Sequence, residues 1–442
     1  MTSPNITIED VPLNRFHKLL SYRAGAGGFV DGYVLCIIGV ALGQITTSLA
    51  LSAFWEGIIA ASSLIGVFFG GFIGGWITNF IGRRRTFFVG PVLFIAASVA
   101  HLFTDSAVAI FLLRLVIGIA VGIEYPVSTS LVVEFMPKKY RGSRLAMLTL
   151  VWFAGAATAY SVGEIIFRTM GVDAWQWVLA SSAVIGLITI LIRLGTPESP
   201  RWLLSKGRFA EAEAVLKSVY GNDFSLKNLP EECREKRVTL FSLLHSGYGK
   251  RMLFVLTFWT CAIVPIFAVY SFAPKVLAAL NVKGDVASLG SALITLLFFS
   301  GCLIATRIIN LIDRRSMLIY SFLLSAIALL GLGYFHNQSG GLILALFAGY
   351  ALFTGGSQVL ILVYPNEIFP TELRTFAVGI GTSISRIGAA VGTYFVPMSL
   401  DTLGIAQTMY IAAIICLIGL VVSFVLAPET RTLDLQQAAS LS

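Results

Sequence analysis

Glu134-Phe135-Met136-Pro137-Lys138-Lys139-Tyr140-Arg141 and Glu367-Ile368-Phe369-Pro370-Thr371-Glu372-Leu373-Arg374 share one pattern: a Glu, a Pro three positions on, an Arg four further. The two Glu residues are separated by 233 positions (367 against 134). Each copy follows a long apolar run and precedes another. A second pair of landmarks repeats at almost the same interval, Pro197-Glu198 and Pro428-Glu429, 231 positions apart (429 against 198). The chain therefore reads as two related halves in tandem. In a very hydrophobic chain, such a plan places a site between the halves, as in many transporters.

Composition fixes the environment. Of the 442 residues, 57% are hydrophobic and only 12% charged, and mean hydropathy is +0.85. A soluble domain carries about 25% charged residues. Too few polar groups exist here to cover a water-facing surface, and many apolar runs reach the roughly 20 residues that span a bilayer. The net charge of +8 reads as loop bias in a membrane protein. No basic stripe with interleaved aromatics points to nucleic acid. Cys36, Cys233, Cys261, Cys302 and Cys416 show no CxxC spacing, and the four histidines are scattered, so neither a disulfide framework nor a metal site is expected. No cofactor motif appears either. The polar N-terminus lacks the short apolar stretch of a cleaved signal.

Twelve spans are predicted, near 24–45, 55–77, 86–103, 107–134, 145–167, 175–195, 252–280, 287–309, 316–335, 341–364, 376–399 and 406–427. Backbone groups in lipid must be satisfied internally, so the fold class is an all-α membrane protein, two six-helix bundles related by pseudo-symmetry. The expected domains are 1–195, a linker with short helices at 196–251, and 252–442. Arg83–Arg85, Lys138, Lys139, Arg141, Arg144, Arg314 and Arg315 cluster in the loops after spans 2, 4 and 8, whereas the loops after spans 1 and 9 carry no Lys or Arg. Positive loops stay in the cytoplasm, which predicts cytoplasmic termini and a plasma or inner membrane location. Gly66, Gly70 and Gly74 in span 2, and Gly118 and Gly122 in span 4, mark positions of close helix approach.

Several stretches resemble the major facilitator superfamily over essentially the whole chain. Gly75 through Arg85 is similar to its loop 2–3 signature, and Arg114 through Gly118 to its RxxxG element. Glu134 to Gly142 and Pro197-Glu198-Ser199-Pro200-Arg201-Trp202-Leu203-Leu204 resemble the sugar-porter and organic-ion branch. Phe29-Val30-Asp31-Gly32-Tyr33 and Glu124-Tyr125-Pro126 look closer to metabolite:proton and aromatic-acid:proton symporters and their synaptic-vesicle-protein-like relatives. Two departures stand out. Asn79, and Asn310 in the second half, occupy places where the family loop usually has Asp. Val34 stands where aromatic-acid symporters often have a second Asp.

Charges within a span are costly and mark function by default. The resemblance sets spans 1 and 4 side by side, so Asp31 is expected to carry the coupling proton with Arg114 as its switching partner. Glu124, two residues before the helix-bending Pro126, is expected to be a second proton carrier or a substrate contact; the ordinary alternative is a bond to a neighbouring helix. Arg386 in span 11 suits a carboxylate or phosphate by its planar fork, and is expected either to bind an anionic substrate or to pair with an acidic loop residue on the cytoplasmic side. Gln358, Trp259 and Tyr270 are further candidate substrate contacts. A cytoplasmic gate is expected from Asn79, Arg83, Glu134 and Arg141 with Asn310, Arg314, Glu367 and Arg374. No Walker-type loop, Ser/His/Asp set or metal constellation supports an ATP-driven pump or an enzyme. The expectation is thus a monomeric, proton-coupled symporter of a small polar metabolite, preferably an organic anion. The alternatives are a sugar or polyol transporter, and a nutrient sensor that does not transport.

Overall fold

A computed structural model describes residues 7–171, 174–229, 247–279, 285–309, 311–369 and 371–431. The first half contains α1 (Arg15–Ser48), α2 (Ala53–Ile81), α3 (Arg83–Ala100), α4 (Ala107–Phe135) and α5 (Lys138–Met170). Its sixth crossing is made by α6 (Trp175–Ala180) and α7 (Ser182–Arg193), which meet at Ser181. The short helices α8 (Pro200–Ser205) and α9 (Phe209–Tyr220) follow. The second half contains α10 (Gly249–Ala279), α11 (Asp285–Ile308), α12 (Arg314–Tyr334), α13 (Gly340–Ile368), α14 (Thr371–Thr402) and α15 (Ile405–Leu426). Each predicted span overlaps one of these crossings, with several predicted ends set one to three residues beyond the helix.

Among the described residues, ten crossings are long and apolar enough to span a membrane, by length and composition. The other two are α11, with a shorter apolar stretch at Leu293–Ile308, and α14, whose middle is diluted by Thr382, Ser383, Ser385 and Arg386. The perimeter is apolar: Val184, Leu187 and Leu191 on α7, and Val421, Phe424 and Val425 on α15, are exposed. An apolar belt of this kind is solvated by lipid tails.

The helices begin and stop where sequence chemistry dictates. Asn14 caps α1 in a reciprocal box with His17, and Ser52 caps α2, each replacing a missing intrahelical partner. Gly82, at φ 102°, turns α2 into α3 with a backbone that side-chain-bearing residues avoid. In α2 and α4 the predicted glycines meet: a Cβ on Gly66 would strike the Leu115 carbonyl, and one on Gly118 the Ser63 carbonyl. The backbones touch there because nothing stands between them.

Within the first half, α2 packs on α4 and α1 on α5; within the second, α12 packs on α15 and α10 on α14. The halves meet through α2 with α14, α5 with α11, and α1 with α10. Helix α10 is broken at Phe272 (φ −131°, ψ 17°), between Pro265 and Pro274, as expected where proline removes a backbone bond.

The short helices after the first half dock on its base. The Tyr220 hydroxyl donates to the Phe135 carbonyl at 2.8 Å, and Asn14 Nδ2 donates to the Val219 carbonyl at 2.9 Å. Arg201 pairs with Glu9 at 2.8 Å. Cys233 lies outside the described residues.

Candidate functional site

A cavity of about 70 Å³ lies between the halves. Its polar lining includes Asp31 from α1, Tyr125 and Ser128 from α4, Gln358 from α13 and Arg386 from α14; Trp152, Trp259 and Phe267 supply flat apolar walls. Asp31 is 2% exposed and Arg386 9%. Asp31 Oδ1, Arg386 Nε and Trp259 Nε1 are buried without a hydrogen-bond partner. The Arg386 guanidinium lies 5.1 Å from the centre of the Phe267 ring, a cation–π distance. Gln358 Nε2 donates to the Ala262 carbonyl at 2.9 Å, which fixes its amide and leaves the amide oxygen for other donors.

Three expectations change. Arg114 is not the partner of Asp31. Its terminal nitrogens donate to the carbonyls of Val34, at 2.6 Å, and Leu35, at 3.4 Å, so it serves the α1 backbone further along the helix. Glu124 does not line the cavity and makes the bond to a neighbouring helix instead. Arg193 forks onto its carboxylate, Nη1 to Oε2 at 2.8 Å and Nη2 to Oε1, and Ser128 Oγ donates to Oε1. The pair is held from every side: the Arg193 guanidinium also reaches the Phe87 carbonyl and lies 3.6 Å from the centre of the Phe87 ring. Helix α1 leaves room for it through Gly27, where a Cβ would collide with both Arg193 Nη2 and Glu124 Oε1. Tyr270, finally, belongs to an aromatic cluster with Trp152, Phe153, Tyr160 and Phe298 and does not line the cavity.

Arg193 escaped the sequence reading because a basic residue at the end of an apolar run looks like an interfacial anchor. Only the fold shows that its side chain turns inward to Glu124, 69 positions away.

On the face bearing the arginine-rich loops, the duplication becomes geometry. Arg83 Nε pairs with Glu134 at 3.2 Å, and Arg314 Nη2 with Glu367 at 3.5 Å. Glu198 accepts from the backbone N–H groups of Arg83 and Arg84 at 2.8 and 3.1 Å. Glu429 accepts from those of Arg314 and Arg315 at 3.1 and 3.0 Å. Each carboxylate caps the exposed N-terminus of the third helix of its half. Partial burial pushes the Glu429 carboxyl up, but N–H groups of Arg431, Arg315, Arg314 and Thr430 outweigh that and hold it below the usual range. Asn310 lies outside the described residues, as do the side chains of Asn79, Arg141 and Arg374.

The opposite face carries bridges between the halves that no local pattern announced. Lys275 Nζ, just beyond the break in α10, lies 2.7 Å from Glu56 in the first turn of α2 and 3.9 Å from Asp401 near the end of α14. In the interior, the Tyr160 hydroxyl also joins the halves by donating to the Tyr270 carbonyl.

Among the described residues, twelve crossings in two like halves enclose a charged cavity behind an apolar perimeter, the plan of a membrane transporter. The family model described as "Sugar (and other) transporter" matches residues 21–441. The chain belongs to that family, within the major facilitator superfamily. It is 37% identical over 441 residues to the putative metabolite transport protein YaaU of Escherichia coli (strain K12), covering 99% of this chain and 98% of that protein. It is 27% identical over 453 residues to the arabinose-proton symporter of Bacillus subtilis (strain 168), covering 98% and 97%. Among solved structures, the partially occluded, inward-open xylose transporter XylE from E. coli superposes with a TM-score of 0.80 at 22% identity, covering 95% of this chain and 100% of that one; that likeness is one of fold.

Proposed function

We propose that this protein is a proton-coupled symporter that moves a small organic anion across the cell membrane by alternating access. One observation carries the reading: Asp31 and Arg386, contributed by opposite halves, line the same cavity and each keeps an atom without a partner. Asp31 carries the proton. Arg386 anchors the anion through its planar fork. Gln358 and Trp259 supply further hydrogen bonds. Relative motion of the halves then opens the cavity to one face at a time. The arginine-rich face is cytoplasmic by the positive-inside rule. The Arg83–Glu134 and Arg314–Glu367 clusters form the gate there, with Asn79, Arg141, Asn310 and Arg374 as its remaining members. The functional units are 1–195, 196–251 and 252–442. A single chain encloses the cavity, so the working unit is a monomer.

A second reading is a sugar or polyol symporter. Gln358 and Ser128 suit hydroxyl groups, and one relative is an arabinose-proton symporter by name. Uptake by purified protein in proteoliposomes, with labelled acids and sugars and with or without an inward acid gradient, tests both. Acid-driven uptake of an anion supports the first reading. Uptake of sugars alone favours the second. Binding without flux in either case indicates a sensor.

A further inference from the structure

The charges inside the bundle fall into sets that respond differently to motion of the halves. Glu124 and Arg193 are joined through both carboxylate oxygens, and both belong to the first half. No rocking of one half against the other separates them. Arg114 is likewise held on carbonyls of α1. Asp31 and Arg386 differ. They are the charged side chains among the described cavity-lining residues, and they sit on opposite halves. Among the described residues, the charged and titratable groups in electrostatic reach of Asp31 are Glu124 and Tyr125 from α4, Arg193 from α7 and Arg386 from α14. Arg193 is committed to Glu124. Among the described lining residues, Arg386 is therefore the cation left to balance Asp31.

Resting on the anion reading above, we infer that Arg386 is one countercharge with two claimants, Asp31 and the cargo, so that the cargo is a monoanion that travels with one proton. When a cargo carboxylate occupies Arg386, it takes the positive charge that otherwise balances Asp31. A carboxylate left uncompensated at this depth is strongly disfavoured, and Asp31 takes up a proton. When the anion leaves, Arg386 again balances Asp31 and the proton departs to the same side. The loaded and empty protein then carry equal charge through the bilayer, and the cycle is electroneutral. A neutral sugar would leave the Asp31–Arg386 balance intact and give the proton no reason to bind. A dianion would bring a second negative charge with no cation to meet it.

The test uses the full-length protein with a panel of monocarboxylates, dicarboxylates and neutral pentoses, first by thermal shift and then by uptake in proteoliposomes. The pH gradient and the membrane potential are imposed separately. Monocarboxylates are expected to raise the melting temperature, and an inward acid gradient to drive their uptake. A potassium–valinomycin potential is expected to leave the initial rate unchanged. Wild-type affinity should fall about tenfold per pH unit once Asp31 is unprotonated in the empty protein, because one proton is linked to each anion. Asp31→Asn should bind the same monocarboxylates with that pH dependence removed. Arg386→Gln should lose at least about tenfold in affinity, as expected for a charge-assisted pair; a purely structural Arg386 would lower the unliganded melting temperature and leave the ligand-induced shift intact. Monocarboxylate uptake that responds to the potential, or a preference for dicarboxylates, overturns this inference while anion transport stands. Binding of neutral sugars alone, or of nothing in the panel, overturns the anion reading and this inference together.

Discussion

Breaking the Lys275–Glu56 bridge should shift the balance between the closed and open forms of the face opposite the arginine-rich loops. The contact is 2.7 Å long and joins side chains that are 35% and 6% exposed, Lys275 being the wetter partner. Exposed pairs contribute about 0.2–1 kcal/mol, whereas removing one partner of a buried pair costs about 3–5 kcal/mol. This bridge stands between those limits, and its two partners are not equivalent. Glu56→Gln leaves Lys275 with water and with Asp401 at 3.9 Å, so the loss should be near 1 kcal/mol, or about fivefold in the open-to-closed ratio. Lys275→Gln strands a buried carboxylate and should cost about 2 kcal/mol, roughly thirtyfold. Spin labels on cysteines replacing Ser52 and Thr402, which are exposed on this face in opposite halves, would report the opening as a longer-distance population in a background without native cysteines. The exchange Glu56→Lys with Lys275→Glu should restore much of the short-distance population. Unchanged distances in both single variants, or a larger effect from Glu56→Gln than from Lys275→Gln, would refute the reasoning.

Other consequences can be checked directly. Gly27→Ala drives a methyl group into the Glu124–Arg193 pair; a loss of about 2–4 kcal/mol is expected, seen as a lower melting temperature in detergent. Arg193→Gln should destabilise by about 3–5 kcal/mol by leaving Glu124 unpaired, and the double change with Glu124→Gln should recover most of that loss. Glu429 has a folded-state pKa below its unfolded value near 4.5. Its stabilisation is therefore complete above that value and lost as pH falls through the lower, folded one. Glu429→Gln should flatten the acid-side decline in melting temperature below about pH 4.5; an unchanged acid limb would show that the cap contributes nothing.

The crossings were legible because bilayer thickness imposes a length on apolar runs, and the duplication because Glu, Pro and Arg recur at fixed intervals. Asp31 and Arg386 stood out for a related reason: charge is rare in such runs, so each instance is conspicuous. Their partners were less legible. The assignment of Arg114 to Asp31 assumed that opposite charges on adjacent helices meet, but a guanidinium has several donors and can spend them on carbonyls, as Arg114 does on Val34 and Leu35. Arg193 hid at a helix end, where a cation is unremarkable. Glu56 and Lys275, 219 positions apart, carry no local signal that joins them. Glu198 and Glu429 marked the repeat without disclosing their role, because helix capping by a distant side chain depends on tertiary placement. In each case the missing information was which way a side chain turns, and periodicity does not record that for a helix surrounded by other helices.

Glu198 and Glu429 have one more consequence, for how this polypeptide can be divided. Each tethers the third helix of its own half from a position beyond the sixth crossing, like a strap sewn to the garment it closes. A backbone cut within residues 230–246 would leave one strap on each fragment, and the Glu124–Arg193 pair and the Arg314–Glu367 pair would also stay whole. The chain is thus partitioned as two separately fastened modules, and co-production of the two pieces from separate messages is a practical route to labelling one half while leaving the other unmarked.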